Sequence, residues 1–476
     1  MARPRSLQHA VEFAGLVIAA LVCWTCNPGT LPAPETARAD PTPSTTAEEA
    51  EEVEEPVVEL SEADSLPPIP MFARIDEGVP GIRIPIEDPS GRSLRHFHAA
   101  LRRVERGEDQ ARIAFYGASH VASDWFTGYI RERLQRRFGD AGHGFVLPVH
   151  PWRTYRHFGV RLESNHEDWQ THRIRSANLE TGLYGFAGAA VEASEAGSFG
   201  SVETVEHNGV GGKASSFELY YLRQPGGGEL DVLLDGERLE RLSTAGESSE
   251  AAYQRYETED GAHRFEIRVV GNGPVRIFGV AVERDEPGVV LDTLGINGAR
   301  SRYHLKWEDS LYREHLAHRD PDLVVLAYGT NEAGDDDVPI EDYESRLRQV
   351  VGRVREVAPE SSCLLIGPSD RPIREHRRSF RDRPRTMNLV EVQRRVANEL
   401  GCGFFDLVAF MGGPMAMVDW VEHRPAYGSP DHIHFTRRGY LRLGEVLHDA
   451  LMHGFPSTRP QAPDAEGAET DAVPSD

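Results

Sequence analysis

The sequence has few lysines, few cysteines and no long apolar segment. Of its 52 Lys and Arg residues only Lys213 and Lys306 are lysine; the acids number 76, and the formal net charge is −24. Because sequence-independent nucleic-acid binding needs basic residues that neutralise phosphates, this balance argues against a nucleic-acid partner. At 39% hydrophobic residues, the 476-residue chain is too apolar to be wholly disordered. Two of its four cysteines, Cys363 and Cys402, lie far from the N-terminus and form either a disulfide or two buried free thiols.

The apolar run at residues 13–24 is too short for a membrane span. Twelve residues rise about 18 Å as a helix, less than the ~30 Å hydrocarbon core of a bilayer. Two arginines precede the run, so residues 1–26 are predicted to be a signal peptide or an N-terminal anchor. Cys23 and Cys26 close the run and make lipid anchoring an alternative to plain export. We therefore expect an exported protein that is periplasmic, cell-envelope associated, secreted or lipid-anchored.

Most of the net charge lies in two polar segments. Residues 35–64 and 456–476 together carry a net charge of −14, which leaves −10 for the rest of the chain. Like-charged segments that contain proline and lack apolar periodicity stay solvated. Residues 27–70 are therefore predicted to be a disordered, acidic and Pro-rich tether, and residues 456–476 a disordered tail.

Buried strands alternate with amphipathic helices over much of the chain. Continuous apolar runs predict strands at 113–116, 289–294, 323–328, 363–366 and 403–406, and the helical period predicts helices at 124–138, 342–357, 387–400 and 438–452. Ser123 or Asp124 is expected to cap the first of these helices, and Gly139 to end it. This alternation predicts a parallel sheet that is covered by helices on both faces.

Between residues 151 and 287 the apolar period changes from helical to two. Phe217, Leu219 and Tyr221 recur at every second position, and an Asp-Gly pair at 235–236 is typical of a hairpin turn. We predict an antiparallel β-sandwich that is inserted into an α/β domain made of residues 71–150 and 288–455. The insertion serves either as a substrate-binding module or as a packing element without a ligand.

Four short blocks carry residues suited to catalysis. They are residues 116–120 (YGASH), 294–299 (LGINGA), 328–332 (YGTNE) and 431–436 (DHIHFT). Three of them follow predicted strands, and open α/β sheets place their sites at the carboxyl ends of strands. The fourth precedes the last predicted helix.

Each block has a catalytic interpretation and a structural one. Ser119 is either a nucleophile on a strand-to-helix turn or a helix-capping serine. Gly298 either exposes its amide to a substrate oxygen or is an ordinary turn glycine, and Asn331 either stabilises an oxyanion or caps a turn. His434, three residues after Asp431, is suited to be an oriented general base.

A metal-binding interpretation of the last block is weaker. Asp431, His432 and His434 are residue types that bind metals, but no further cluster with metal-ligand spacing accompanies them. We therefore expect no metal.

In this order and on this α/β pattern, the four blocks resemble the SGNH (GDSL-type) hydrolase family. The resemblance implies a three-layer α/β/α, flavodoxin-like domain in which Ser119 is the nucleophile. It implies His434 as the general base and Asp431 as the carboxylate that orients it. It also implies an oxyanion hole made by the Ser119 amide, the Gly298 amide and the Asn331 side chain, with no cofactor.

One residue departs from the family pattern. The family usually has Gly-Asp-Ser at the nucleophile, whereas Ala118 precedes Ser119 here. Because the usual aspartate is not one of the four named catalytic groups, the change concerns the packing of the turn more than the chemistry. A catalytically silent protein stays an alternative.

Further motifs narrow the resemblance. Residues 138–145 (FGDAGHGF), 411–415 (MGGPM) and 431–440 (DHIHFTRRGY), with the β insertion, are similar to a subgroup of peptidoglycan O-acetylesterases whose inserted module is related to carbohydrate-binding modules. The resemblance implies an acetylated polysaccharide or peptidoglycan as the substrate. Aromatic side chains suited either to a sugar or to the core are Trp152, Tyr155, Tyr220 and Tyr221.

We therefore expect an exported serine esterase that removes O-acetyl groups from a cell-wall or extracellular polysaccharide. An SGNH-type polysaccharide O-acetyltransferase and a silent glycan-binding protein are the alternatives, and a lipase for long acyl chains is a weaker one. The expected associations are the glycan substrate and an N-terminal membrane tether. The sequence does not define the oligomeric state.

Overall fold

The computed structural model describes residues 78–175, 181–377 and 379–455. The predicted signal or anchor segment, the tether and the C-terminal tail lie outside these residues. Within the described ranges, no helix combines the length and the apolar composition that crossing a bilayer requires.

The described residues form nine α-helices. They are α1 (Arg95–Glu105), α2 (Ser119–Ala122), α3 (Trp125–Phe138), α4 (Asp309–Arg319), α5 (Ile340–Val357), α6 (Pro384–Glu399), α7 (Leu407–Met411), α8 (Ala416–Glu422) and α9 (Arg437–Met452).

The same part of the chain forms eighteen strands. They are β1 (Gln110–Gly117), β2 (Gly144–Val146), β3 (Val160–Ser164), β4 (Gln170–Arg173), β5 (Ala189–Ala193), β6 (Phe199–Thr204), β7 (Ala214–Arg223), β8 (Glu229–Leu234), β9 (Glu237–Ser243), β10 (Glu250–Gly261), β11 (Arg264–Val269), β12 (Val275–Glu283), β13 (Gly288–Gly295), β14 (Leu323–Ala327), β15 (Ser362–Ile366), β16 (Ile373–His376), β17 (Ser379–Arg381) and β18 (Gly403–Phe405). The α/β elements predicted from apolar periodicity agree with these bounds to within three residues.

Five strands form one parallel sheet in the order β13-β1-β14-β15-β18. Side chains of β1 alternate between its two faces. Ile113 and Phe115 pack in a core with residues of α1, α3 and α9, whereas Ala114 and Tyr116 pack in a second core with residues of α4, α5 and α6. Helices therefore cover the sheet on both sides, and the predicted α/β fold with a parallel central sheet is confirmed.

Two antiparallel sheets lie between β1 and β13 in the chain. One has the order β10-β7-β12-β5-β4, with β2 also paired to β12, and the other has the order β3-β6-β11-β8-β9. The sheets face each other across a shared core, in which the rings of Phe217 and Phe265 stack with centroids 5.1 Å apart. We call these two sheets the sandwich. Because β2 already belongs to it, its first strand precedes residue 151, and the domain limits given above stay predictions.

One sheet of the sandwich is buried on both faces. Phe217 and Leu219 in β7 are fully buried. Tyr220, which follows Leu219 and therefore points to the opposite face of the strand, is fully buried as well. The centroid of the His315 ring in α4 lies 5.9 Å from that of Tyr220 and 5.0 Å from that of Phe278. The strict alternation predicted for this segment is therefore incomplete, because α4 covers the face that alternation would leave to solvent.

Buried charges also join the sandwich to the α/β part. Arg319, at the end of α4, donates to Glu283 of β12 and makes two 2.8 Å hydrogen bonds to Asp292 of β13. Asp292 in turn accepts the amide of Phe145 in β2 at 2.7 Å. All three charged side chains are almost fully buried, so each depends on the others for its partners.

Cys363 and Cys402 form a disulfide. Both residues are buried, and the bond connects β15 to the residue that precedes β18. Of the two alternatives left by the sequence, the disulfide is the one observed.

Candidate active site

The register of the parallel sheet brings the first three blocks to one edge. Gly117 at the end of β1 pairs with Gly295 at the end of β13 and with Ala327 at the end of β14. Ser119 follows β1 by two residues and is the first residue of α2, while Gly298 follows Gly295 by three. Because parallel strands end at the same edge, the three loops lie side by side.

The fourth block meets the first through a continuous line of hydrogen bonds. His434 Nε2 lies 2.8 Å from Ser119 Oγ, and His434 Nδ1 lies 2.6 Å from Asp431 Oδ2. The side chains of His434 and Asp431 are 17% and 19% exposed, so the line is open to solvent at its edge. The structure thus brings together the three residues predicted to form a catalytic triad.

Asp431 is held in place by the backbone that follows it. Its Oδ1 accepts the amides of Ile433 at 2.9 Å and of His434 at 3.0 Å. Burial opposes ionisation of this carboxyl, but the hydrogen bonds and charge of His434 keep the pKa of Asp431 well below its usual range. A carboxylate so fixed favours a proton on the near nitrogen of His434, which leaves the far nitrogen free to accept one.

His120, next to Ser119, has a different environment. Its ring is buried and bonded on both sides, to the hydroxyl of Tyr440 at 2.9 Å and to that of Ser369 at 3.2 Å. Burial, together with the nearby His434, lowers the pKa of His120 to about 3. His120 is therefore neutral at ordinary pH and supports the turn that carries Ser119.

Gly298 and Asn331, the other residues predicted for the oxyanion hole, lie in adjoining loops. Gly298 has φ +70°, a left-handed conformation that favours glycine. The side-chain amide of Asn331 donates one hydrogen bond to the carbonyl oxygen of Ala299 at 2.9 Å. Because a primary amide has two N–H groups, this bond orients the Asn331 side chain and leaves its second N–H for another acceptor.

A buried glutamate connects these two loops. Glu332 accepts the amide of Ser301 at 2.7 Å and, through its other oxygen, the amide of Gly329 at 3.0 Å. Burial raises the pKa of the Glu332 carboxyl, against the hydrogen bonds that lower it. Glu332 thus fixes the loop of Asn331 against the one that follows Gly298.

The helix cap predicted after Ser119 is wrong. Helix α3 begins at Trp125, and neither Ser123 nor Asp124 caps its first amides with a side chain. Asp124 is instead fully buried and pairs with Arg131 at 2.8 Å, and it accepts the amide of Phe158 at 2.8 Å. The buried arginine outcompetes the helix amides for this carboxylate. The predicted stop at Gly139 agrees with the observed end of α3.

Most of the aromatic candidates for sugar binding pack in the core. Tyr155, Tyr220 and Tyr221 are all buried. Trp152 is only partly buried, and the guanidinium of Arg173 lies 5.4 Å from the centre of its ring. Of the four candidates, only Trp152 presents some of its ring to solvent.

The side chains of Asp431, His432 and His434 do not form a metal-binding arrangement. Among the described residues, no group of three or more His, Cys, Asp or Glu side chains has the arrangement to hold a metal ion. His432 has partners of its own: its Nδ1 lies 2.9 Å from the carbonyl oxygen of Pro430, and its ring stacks on Phe380.

Sequence reasoning missed two contributions to the surroundings of the site. Thr154, which lies between β2 and β3, accepts a 2.6 Å hydrogen bond from Asn297, and the guanidinium of Arg175 lies against Gly298. No local pattern predicts these contacts, because they connect residues more than 100 positions apart. The other contribution is the arginine-rich stretch 371–385, whose density of one residue type was visible in the sequence.

Residues 264–442 match the model of the GDSL-like lipase/acylhydrolase family. The match includes the second, third and fourth blocks and begins after the first. No curated protein sequence matches the chain.

Solved structures extend the comparison over more of the chain. A peptidoglycan O-acetylesterase is 27% identical, with a TM-score of 0.65, and the alignment covers 78% of this chain and 99% of the other. A salicylyl-acyltransferase from a tetracycline biosynthetic pathway is 14% identical (TM-score 0.28; 63% and 98% covered). A family two carbohydrate esterase from Clostridium thermocellum is 12% identical (TM-score 0.24; 56% and 94% covered).

The parallel sheet and the family match define a hydrolase of the SGNH class. Part of the chain matches the model of the GDSL-like lipase/acylhydrolase family, and the protein is an SGNH-type esterase. Its predicted similarity to peptidoglycan O-acetylesterases is confirmed.

Proposed function

We propose that this protein is an exported carbohydrate acetylesterase that removes O-acetyl groups from a cell-wall or extracellular polysaccharide. The reaction proceeds through an acyl-enzyme on Ser119. The observation that carries the proposal is the line of hydrogen bonds from Ser119 through His434 to Asp431 in a chain with an SGNH-type domain.

In the first step Ser119 Oγ attacks the carbonyl carbon of the ester. His434 Nε2, at 2.8 Å, takes the hydroxyl proton as the new carbon–oxygen bond forms. Asp431, at 2.6 Å from the other ring nitrogen, holds the required tautomer and stabilises the imidazolium. His434 then gives its proton to the sugar oxygen as the bond between that oxygen and the carbonyl carbon breaks, so the sugar leaves with a free hydroxyl group and the acetyl group stays on Ser119.

The negative charge of the tetrahedral intermediate needs hydrogen-bond donors already in position. The amides of Ser119 and Gly298 and the second side-chain N–H of Asn331 are the proposed donors. Each such donor contributes roughly 2.7–4 kcal/mol to transition-state stabilisation in comparable hydrolases. The bond from Asn331 to the carbonyl of Ala299 supports this role, because it restricts the rotation of the amide.

In the second step water replaces the sugar. His434 again acts as the base, a hydroxide equivalent attacks the acetyl carbonyl, and acetate leaves Ser119 as the serine regains its proton. No cofactor takes part in either step.

Two observations support a glycan acetyl ester as the substrate and export as the location. The protein with 27% identity and a TM-score of 0.65 is a peptidoglycan O-acetylesterase. The disulfide between Cys363 and Cys402 is of the kind that persists in oxidising compartments outside the cytoplasm. Residues 1–26 supply the predicted export signal; recovery of the full-length chain only from the cytoplasm of producing cells would contradict this location.

The esterase activity is tested by acetate release from 4-nitrophenyl acetate and from an O-acetylated glycan. We expect Ser119→Ala to lower kcat/KM by about 10⁶-fold, because the reaction loses its nucleophile. Ser249→Ala, at an exposed position in the sandwich, is the matched control and keeps the parent's activity.

Three other outcomes would each reject part of the proposal. Hydrolysis that survives Ser119→Ala would reject the nucleophile. Transfer of acetyl to a glycan hydroxyl in place of water would favour the acetyltransferase. Glycan binding without hydrolysis by the parent protein would favour the silent binding protein.

A further inference from the structure

Residues 371–385, here called the arginine segment, are strongly basic in an acidic protein. The segment contains seven arginines and two acids, a net charge of +5, whereas the whole chain has a net charge of −24. Its strands β16 and β17 form a hairpin. A concentration of positive charge of this kind attracts an anionic ligand.

The hairpin packs on the loop of the fourth block. The Phe380 ring stacks on His432 with the ring centroids 4.0 Å apart, and Arg374 donates to the carbonyl oxygen of Pro430 at 3.4 Å. The guanidinium of Arg374 also lies 5.4 Å from the centre of the Phe380 ring. Pro430 and His432 flank the proposed orienting carboxylate, so the hairpin lies at the edge of the proposed active site.

The two ends of the segment are held on the loop of the third block. Arg371 donates to the carbonyl oxygen of Thr330 at 2.9 Å, and Arg383 donates to the carbonyl oxygens of Arg371 at 3.1 Å and Ala333 at 3.2 Å. Burial, and next the positive charge of Arg383, lower the pKa of the Arg371 guanidinium. These inner arginines therefore fix the segment beside Asn331.

The outer arginines have donors to spare. Arg374, Arg377 and Arg381 are all exposed. Arg381 forms an ion pair with Glu375 at 3.3 Å, both side chains being about half exposed, and such surface pairs are weak. For Arg377, the described part of the chain provides no ion-pair partner.

A guanidinium from outside the segment lies beside the proposed oxyanion hole. A Cβ placed on Gly298 would be 2.8 Å from Nε of Arg175, which shows how closely the arginine side chain covers this glycine. Arg175 is exposed. Positive groups thus lie next to the loops of Gly298, Asn331 and Asp431.

We propose that Arg374, Arg377, Arg381 and Arg175 bind carboxylate groups of an acidic, O-acetylated glycan. The proposal rests on the esterase function above and names its substrate class: the polymer that carries the acetyl ester also carries ionised carboxylates. The planar guanidinium group donates paired hydrogen bonds that match a carboxylate. Peptidoglycan and polyuronates both supply this chemistry.

The position of the arginines favours a glycan over another polyanion. A ligand that spans the arginine segment passes the loops of Ser119, Asn331 and His434, where the ester is expected to be cleaved. A polymer that combines carboxylates with acetyl esters contacts the arginine segment and the ester-cleaving loops at once, whereas a polyphosphate without esters contacts only the arginine segment.

The experiment compares charged and neutralised forms of the same polymer. Acetate release is measured on O-acetylated peptidoglycan and on acetylated polygalacturonate, each before and after carbodiimide coupling with methylamine, which converts carboxylates to neutral amides. We expect the parent to prefer the carboxylate form in kcat/KM by about 10- to 100-fold, and this preference to shrink as ionic strength rises. A preference on only one polymer identifies the source.

The test variant is the triple substitution Arg374→Gln, Arg377→Gln, Arg381→Gln. It is expected to reduce the preference to near unity, because amide side chains keep polarity and lose the charge. The matched control changes three exposed arginines of the sandwich in the same way: Arg238→Gln, Arg241→Gln, Arg268→Gln. This control is expected to keep the preference. Arg378 lies outside the described residues and is left unchanged.

Binding to Ser119→Ala protein, measured by calorimetry on both polymer forms, separates this proposal from the esterase function. If the parent releases no acetate while the Ser119→Ala protein binds the carboxylate forms through these arginines, the esterase function fails and the surface stands. If the triple variant keeps the preference for the carboxylate form, or the control variant loses it equally, the proposed carboxylate-binding role of these arginines is rejected. Equal binding of duplex DNA and acidic glycan would overturn the assignment to glycans.

Discussion

The α/β part and the sandwich differ in where they place polar side chains. In the α/β part, the strands of the central sheet are almost entirely buried and apolar, and polar side chains gather where the strands end. In the sandwich, strands β8 and β11 alternate buried and more exposed residues, and the edge strands β3 and β9 are mostly partly buried or exposed. All of the residues proposed for acyl transfer lie in the α/β part.

The two parts nevertheless form one packed unit. Arg319 connects β12 of the sandwich to β13 of the sheet through buried carboxylates, and Asp124 in the α/β part accepts the amide of Phe158 at 2.8 Å. Thr154 and Arg175, which both lie in the segment between β2 and β5, contact the loop of Gly298. The comparison shows that a module without any of the proposed catalytic residues can still contact a loop of the proposed site.

The largest effect predicted beyond loss of the nucleophile concerns Asp431. Asp431→Asn keeps the shape of the side chain and removes the charge that fixes the His434 tautomer, so kcat/KM for 4-nitrophenyl acetate is expected to fall by about 10⁴-fold. Asp419→Asn, on the exposed face of α8, is the control. A loss of less than tenfold in Asp431→Asn would mean that the carboxylate does not orient His434, and that the α/β part carries less of the chemistry than proposed.

The joint between the two parts is tested by Arg319→Met. Removal of the guanidinium leaves Glu283 and Asp292 buried without their partner, so the free energy of unfolding is expected to fall by about 3–5 kcal/mol. Arg313→Met, on the same helix but exposed, is the control and is expected to change it by less than about 1 kcal/mol. Equal losses in chemical denaturation would show that the buried charges do not hold the sandwich to the sheet.

The smallest effect predicted is the contribution of His120 to acid sensitivity. His120 has a pKa of about 3 in the folded protein, and an unfolded histidine has a pKa near 6.5. Between these values the unfolded chain binds the extra proton, so the free energy of unfolding falls as the pH drops from 6.5 towards 3, by up to about 1.4 kcal/mol per pH unit. His120→Asn is therefore expected to lose less stability than the parent between pH 7 and pH 5, when both are compared by denaturation at each pH. His423→Asn, at a partly exposed position, is the control; an unchanged dependence in His120→Asn would contradict the prediction.

Local patterns in the sequence were enough to predict the α/β fold and to bring the candidate residues to one edge. Continuous apolar runs define buried parallel strands, and the ends of such strands meet, so the sequence alone predicts that Ser119, Gly298 and Asn331 lie near each other. The short spacing between Asp431 and His434 predicts their contact in the same way. Their roles in catalysis stay predictions until they are tested.

The remaining features depend on contacts between distant residues, which local patterns do not encode. The sequence favours Asp124 as a helix cap, but a buried arginine seven residues later pairs with its carboxylate. The pairing of Cys363 with Cys402 depends on the adjacency of β15 and β18. The cover that α4 provides to Tyr220 likewise requires the packed structure, because alternation alone predicts a solvated face.

The most direct test of the proposed mechanism is the mass of the protein during turnover. A sample quenched in acid while it hydrolyses 4-nitrophenyl acetate is digested and analysed by mass spectrometry. We expect a fraction of the peptide that contains Ser119 to carry one acetyl group on that serine, and none in Ser119→Ala. An acetyl group on a different residue, with Ser119 unmodified throughout turnover, would contradict the account.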